Sequence, residues 1–127
     1  MPASRPLLIV SLALTAACGG GNTGPAMPSP PDNPNRITIS TAGVASPSEL
    51  VVAPGARVLF INNHAQPHHM SSDPHPEHTD CPEFDQVRLL TTGQSRETGN
   101  LVAMRTCGFH DHENPDNAAL RGRIVIR

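Results

Sequence analysis

Cysteine and histidine are the residues in this chain whose types and spacing could do chemistry. Near the C-terminal end stands Arg105-Thr-Cys107-Gly-Phe-His110-Asp-His112, a thiol and an imidazole three residues apart. Two such donors reach one metal ion only if the backbone turns tightly between them, and Gly108, lacking a Cβ, permits such a turn. One further imidazole would complete a His₂Cys set, and a soft thiolate with two imidazoles suits both Cu(II) and Cu(I). Five of the seven histidines lie upstream, between Asn63 and Glu83: His64, His68, His69, His75 and His78. His75, His78 and Cys81 follow one another at spacings of three. They offer a second, accessory metal position, or else solvated histidines in a Pro-rich loop. A lone buried cysteine is usually only a small hydrophobe, so the neighbouring histidines carry the argument.

The elements that would have to position these donors are short. Arg36–Ser40 alternates apolar and polar, and Glu49–Val52 is a second short strand stopped by the turn pair Pro54-Gly55. Ala56–Asn62 is β-branched and aromatic, with apolar residues on both faces, as in a central strand. Residues 63–86 keep no strand or helix period and read as loop or edge. Gln86–Leu90, Leu101–Cys107 and Arg121–Arg127 complete the set. About seven short strands with turn signals between them, and no helical period, give an all-β Greek-key sandwich.

The N-terminus belongs to a different regime. Arg5 followed by the apolar run Leu7–Leu14 is too short to span a bilayer and reads as an export signal over residues 1–17. Thr15-Ala-Ala17-Cys18 resembles a bacterial lipoprotein cleavage site, with Cys18 as the lipidated residue and membrane anchor. Residues 18–35, rich in Gly, Pro, Ser and Asn, bury too little apolar surface to order and form a tether. The folded domain is then 36–127. Export places it in an oxidising, periplasmic or secreted setting, where disulfides form.

Two cysteines remain there, Cys81 and Cys107, and the arithmetic leaves both outcomes open. They could pair, which would contribute on the order of 3–4 kcal/mol and remove the thiolate. One or both could instead bind metal. The charge balance is nine Arg and no Lys against eleven acids, so no basic patch supports nucleic-acid binding. Eight of the acids fall in the histidine-bearing segments, where they form a rim attractive to cations or to a basic partner, or merely solvated loop charge. No nucleophile–base pair marks the chain as an enzyme, and a monomer is expected.

The turn Pro54-Gly55, the run Asn62-Asn63-His64-Ala-Gln-Pro67-His68, the Cys107-Gly-Phe-His110 motif and the terminal Leu120-Arg-Gly122-Arg-Ile-Val-Ile stand in the order found in cupredoxins. Over residues 36–127 the chain resembles the plastocyanin-like small blue-copper domains. The resemblance implies one copper ion held equatorially by His68, Cys107 and His110, and one-electron exchange with a redox partner protein. Leu120 stands where that family has an axial methionine, so the centre would be three-coordinate. The stretch from His110 to Leu120 is long and could bring His112 or an acid to the metal. A register shift of one would exchange His68 for His69. Phe109 would offer an apolar docking patch. Two further readings stay open. One is a copper-handling or storage module that uses the His-rich loop with Cys81 and Cys107 oxidised. The other is a metal-free interaction domain.

Overall fold

The computed structural model describes residues 32–127, so the expected export signal, Cys18 and most of the tether lie outside the described residues. Among the described residues no helix is long and apolar enough to cross a membrane. The described residues form nine strands in two sheets: β1 (Arg36–Ile39), β2 (Ala45–Ser46), β3 (Glu49–Val52), β4 (Leu59–Asn62), β5 (His68–Ser72), β6 (Leu89–Leu90), β7 (Ser95–Glu97), β8 (Thr106–Asp111) and β9 (Gly122–Ile126). One sheet has the order β2-β1-β4-β7 and the other β3-β9-β8-β5-β6. Just before β1 the Asn33 side chain donates to the Arg57 carbonyl and to Glu97, which ties this end of the expected tether to the domain.

Alternation sets the core. In β1, Ile37 and Ile39 point inward; in β9, Ile124 and Ile126 do. They meet Phe60, Met70, Phe84 and Phe109 between the sheets, and the Phe60 ring sits 5.6 Å from both Phe84 and Phe109. β4 is buried along its whole length, as its apolar residues on both faces predict. Gly122 lies opposite Phe109 across β8 and β9. A Cβ there would overlap the Phe109 ring, so glycine is what admits the aromatic side chain.

Three expectations are corrected. The stretch 63–86 contains β5, a strand inside the five-stranded sheet that pairs with β8 on one side and β6 on the other. Histidine and serine give little β signal in the sequence, but pairing on both edges and burial of Met70 override it. Of the strand expected at Gln86–Leu90 only Leu89–Leu90 is strand; Gln86 ends a 3₁₀ segment, Pro82–Gln86, that precedes it. The strand expected at Leu101–Cys107 starts at Thr106 and runs on through His110 to Asp111. Gly108 therefore lies within a strand and makes no turn.

Candidate metal centre

That last correction decides the chemistry. Successive residues of a strand face opposite sides of the sheet, so Cys107, Phe109 and Asp111 point into the sandwich while Gly108, His110 and His112 point out. The cross-strand partners agree: Cys107 lies opposite the core residue Ile124 and Asp111 opposite the core residue Met70. A thiol and an imidazole three apart on a strand cannot converge on one ion. Cys107 is instead bonded to Cys81, with Cα atoms 5.7 Å apart and both residues fully buried. The set His68, Cys107 and His110 is thus not assembled, and Cys81 offers no thiolate either. Leu120 lies in the core rather than beside a metal. Phe109 is fully buried, so it presents no docking patch.

The outer face of the five-stranded sheet carries a different constellation. His110 and His112 project from β8 and its end, and His75 and His78 come over them from the loop after β5. Their four candidate donor nitrogens all lie within 4.8 Å of one another. Ring centroids are 4.9 Å apart for His78 and His112, and 5.0 Å for His75 and His112. The histidines expected to form an accessory site on the loop therefore join the β8 pair in one group. His69, also facing outward, sits with its ring 5.4 Å from His112 but outside the converging four.

The loop is held where it must be. The Asp73 amide donates to the Gly108 carbonyl, Asp80 N–H donates back to the Asp73 carbonyl, and the Ser72 hydroxyl donates to the His78 carbonyl. The Cys81–Cys107 bond then fixes the loop's exit to β8 itself. His78 adopts φ +54°, a left-handed conformation that costs a residue with a Cβ about 1–2 kcal/mol. Residues held in that region cluster at functional sites, where the surroundings over-determine them.

The innermost imidazole, that of His110, is oriented by a carboxylate. His110 Nδ1 donates to Asp73 Oδ1 at 2.6 Å, which leaves the lone pair on Nε2. That Nε2 is buried and has no hydrogen-bond partner, a condition that costs about 1–3 kcal/mol when nothing satisfies the atom. Gly108 makes the pairing possible, because a Cβ at that position would overlap the Asp73 carboxylate. His112 Nδ1 and His78 Nε2 share a proton at 3.2 Å. Burial, and after it the charges of His110, His112, His75 and His69, holds the His78 imidazole below its ordinary pKa of 6.5, which favours the neutral ligand form. A buried lone pair, a carboxylate behind it and three further imidazoles fit a transition-metal cation. Two solvent-facing hollows of about 390 and 470 Å³ flank the cluster, one along His75 and His110, the other along His78 and His112.

His68 takes part in a separate arrangement on the inner face. Its Nδ1 donates to Asp111 Oδ2 at 2.8 Å, and its Nε2 meets His64 Nδ1 at 2.8 Å. Two of the eight acids expected to form a rim thus orient histidines instead, Asp73 on one face and Asp111 on the other. The sequence does not show this pairing; its only trace there is the i,i+2 spacing of His110 and His112 with Asp111 between them at a strand end.

No protein-family model matches the chain, and no curated protein matches it. Solved structures do. A purple cupredoxin from Nitrosopumilus maritimus is 18% identical with a TM-score of 0.55, covering 72% of this chain and 98% of that one. Oxidised plastocyanin from Dryopteris crassirhizoma is 17% identical with a TM-score of 0.56, over 72% and 99%. Amicyanin from Paracoccus versutus is 13% identical with a TM-score of 0.60, over 78% and 86%. Likeness at these identities concerns the fold, and the fold of this chain is that of the cupredoxins.

Proposed function

We propose that this cupredoxin-fold chain is an exported copper-binding protein that holds its ion through imidazoles alone, at His75, His78, His110 and His112. The observation that carries the reading is the buried, unpartnered Nε2 of His110 facing three further ring nitrogens. Imidazole donors suit copper, and a solved amicyanin variant of the same fold is described in its Cu(I) form. When bound, copper in such a site supplies Cu(II)/Cu(I) chemistry, so carriage of the ion and of one electron are both open to it. The chain's own residues bind and orient: Asp73 fixes the His110 tautomer, and the disulfide fixes the loop that brings His75 and His78. The thiolate-bound form of the centre is set aside, because Cys107 is spent in that disulfide. Binding and carriage outside the cytoplasm, from a lipid anchor at Cys18 and without catalysis, is the role that fits.

The test is a Cu(II) titration of the metal-free protein under air. One Cu(II) per chain is expected, with nitrogen-only hyperfine structure by electron paramagnetic resonance. Uptake should fall at least tenfold in His75→Ala/His78→Ala. An intense visible thiolate-to-copper band that disappears in Cys107→Ala would overturn the proposal.

A further inference from the structure

Of the three histidines the outer cluster leaves out, His64 and His68 meet each other. His68 is nearly buried, at 4% exposure, and its Nδ1–H is committed to Asp111, which is fully buried. The other Asp111 oxygen takes the His69 amide at 3.1 Å. His68 therefore presents its lone pair at Nε2, the same carboxylate-backed arrangement that Asp73 gives His110. Facing it is His64 Nδ1 at 2.8 Å. The two rings are within 21° of coplanar, with centroids 5.0 Å apart. That separation is the nitrogen gap plus the radii of two five-membered rings, so the rings meet edge to edge and their nitrogens point at each other along one line.

His64 is held there by its own scaffold. Its amide donates to Asn62 Oδ1, its carbonyl accepts from the Thr92 hydroxyl, and Asn62 Nδ2 donates to the carbonyls of Gln66 and Leu90. Gly43 lies against the ring, where a Cβ would come within 3.2 Å of it. A Pro/Asn-rich turn carrying a solvated histidine would need none of this.

We propose that His64 and His68 form a second metal site, for Cu(I), on the opposite face of the β5–β8 pair from the four-histidine cluster. Opposed lone pairs on one axis are what a two-coordinate d¹⁰ ion requires, whereas a tetrahedral ion needs nitrogens converging at an angle and two more donors. Metal–nitrogen bonds of about 2 Å place the two nitrogens about 4 Å apart, so on binding His64 carries its proton on Nε2 instead of Nδ1, the ion takes the place between the rings, and the His64 ring swings outward by about 1 Å while its backbone stays anchored. Asp111 acts as the orienting carboxylate, a role whose loss typically costs roughly 10–100-fold in metal affinity. The site differs from the outer cluster in oxidation state, ligand number and face, and it stands without that reading.

The experiment uses the full chain with Cys18→Ser, so that no free thiol competes, and the purple Cu(I)–bicinchoninate complex as anaerobic donor, whose loss of colour reports the Cu(I) withdrawn. In the background His75→Ala/His78→Ala, one Cu(I) per chain should be withdrawn from the complex. X-ray absorption of that species should report two nitrogen neighbours. Adding His64→Ala should lower Cu(I) affinity at least tenfold, and so should His64→Gln, which can keep a hydrogen bond to His68 and preserve the loop. No Cu(I) withdrawn by the double variant, or equal withdrawal with and without His64, overturns the site. Failure of the outer-cluster reading has a different signature, Cu(II) uptake unchanged by His75→Ala/His78→Ala.

Discussion

Cys107 and His110 lie three residues apart on β8 and face opposite sides of the sheet, the one bonded to Cys81 in the core and the other hydrogen-bonded to Asp73 on the outside. The motif that looks like a shared metal site is thus divided between two tasks. The cysteine anchors the loop, and the histidine receives what the loop brings.

The disulfide makes a prediction about thiols and stability. In the Cys18→Ser chain, unfolded without reductant, thiol titration should find no free cysteine. Replacing Cys81 and Cys107 by serine should lower unfolding free energy by about 3.5 kcal/mol for a crosslink spanning 26 residues, measured by urea denaturation. It should also weaken Cu(II) binding, because the exit of the His75–His78 loop is released. A free thiol in the oxidised protein would contradict this pairing.

Asp73 should matter to copper without touching it. Asp73→Asn keeps the size of the side chain and removes the charge that orients His110, and roughly a 10–100-fold loss of Cu(II) affinity is expected. Asp111→Asn, on the other face, should leave Cu(II) affinity at the outer cluster within about twofold. Competition against a chelator of known affinity measures both. Equal losses would mean that the two carboxylates are not assigned to separate faces.

Gly108→Ala tests the same geometry through the backbone. The new Cβ overlaps the Asp73 carboxylate, so the His110–Asp73 bond should break while β8 remains paired with β5 and β9. The expected outcome is Cu(II) affinity reduced as far as in Asp73→Asn, with a ring-nitrogen NMR signature of a changed His110 tautomer. Unchanged affinity and tautomer would show that the carboxylate has another place to go.

The lowered pKa of His78 has a sign that can be worked out. Its proton is held less well in the fold than in the unfolded chain, so between the unfolded value near 6.5 and the lower folded value the unfolded chain binds more protons. Folding stability is then full above pH 6.5 and declines as pH falls through the folded pKa. Thermal melts of the metal-free protein from pH 7.5 to 5 should show that decline. His78→Ala should make it shallower, and an unchanged slope would remove His78 as its source.

How much of this was legible beforehand follows from the range of each signal. Ile37 and Ile39, the all-apolar Leu59–Ile61 and the pair Ile124 and Ile126 alternate or cluster within a few residues, and such local periods suffice to identify strands and an all-β sandwich. The motif order around Pro67-His68 and Cys107 carried the cupredoxin resemblance for the same reason. The partnership of Cys81 with Cys107 was visible only as one of two arithmetic possibilities, and the choice of metal-binding histidines was misdirected by reading Gly108 as a turn.

Composition and spacing by themselves determined the donor types, the strand-rich architecture and the concentration of histidine in two segments. Only the tertiary structure decided which donors meet, because that depends on which face each side chain takes and on register between strands distant in sequence. Ser71 opposite His110 and Met70 opposite Asp111 place Asp73 beside His110 and His68 beside Asp111. A shift of one residue in that register would exchange the two faces, and no local pattern in the chain encodes it.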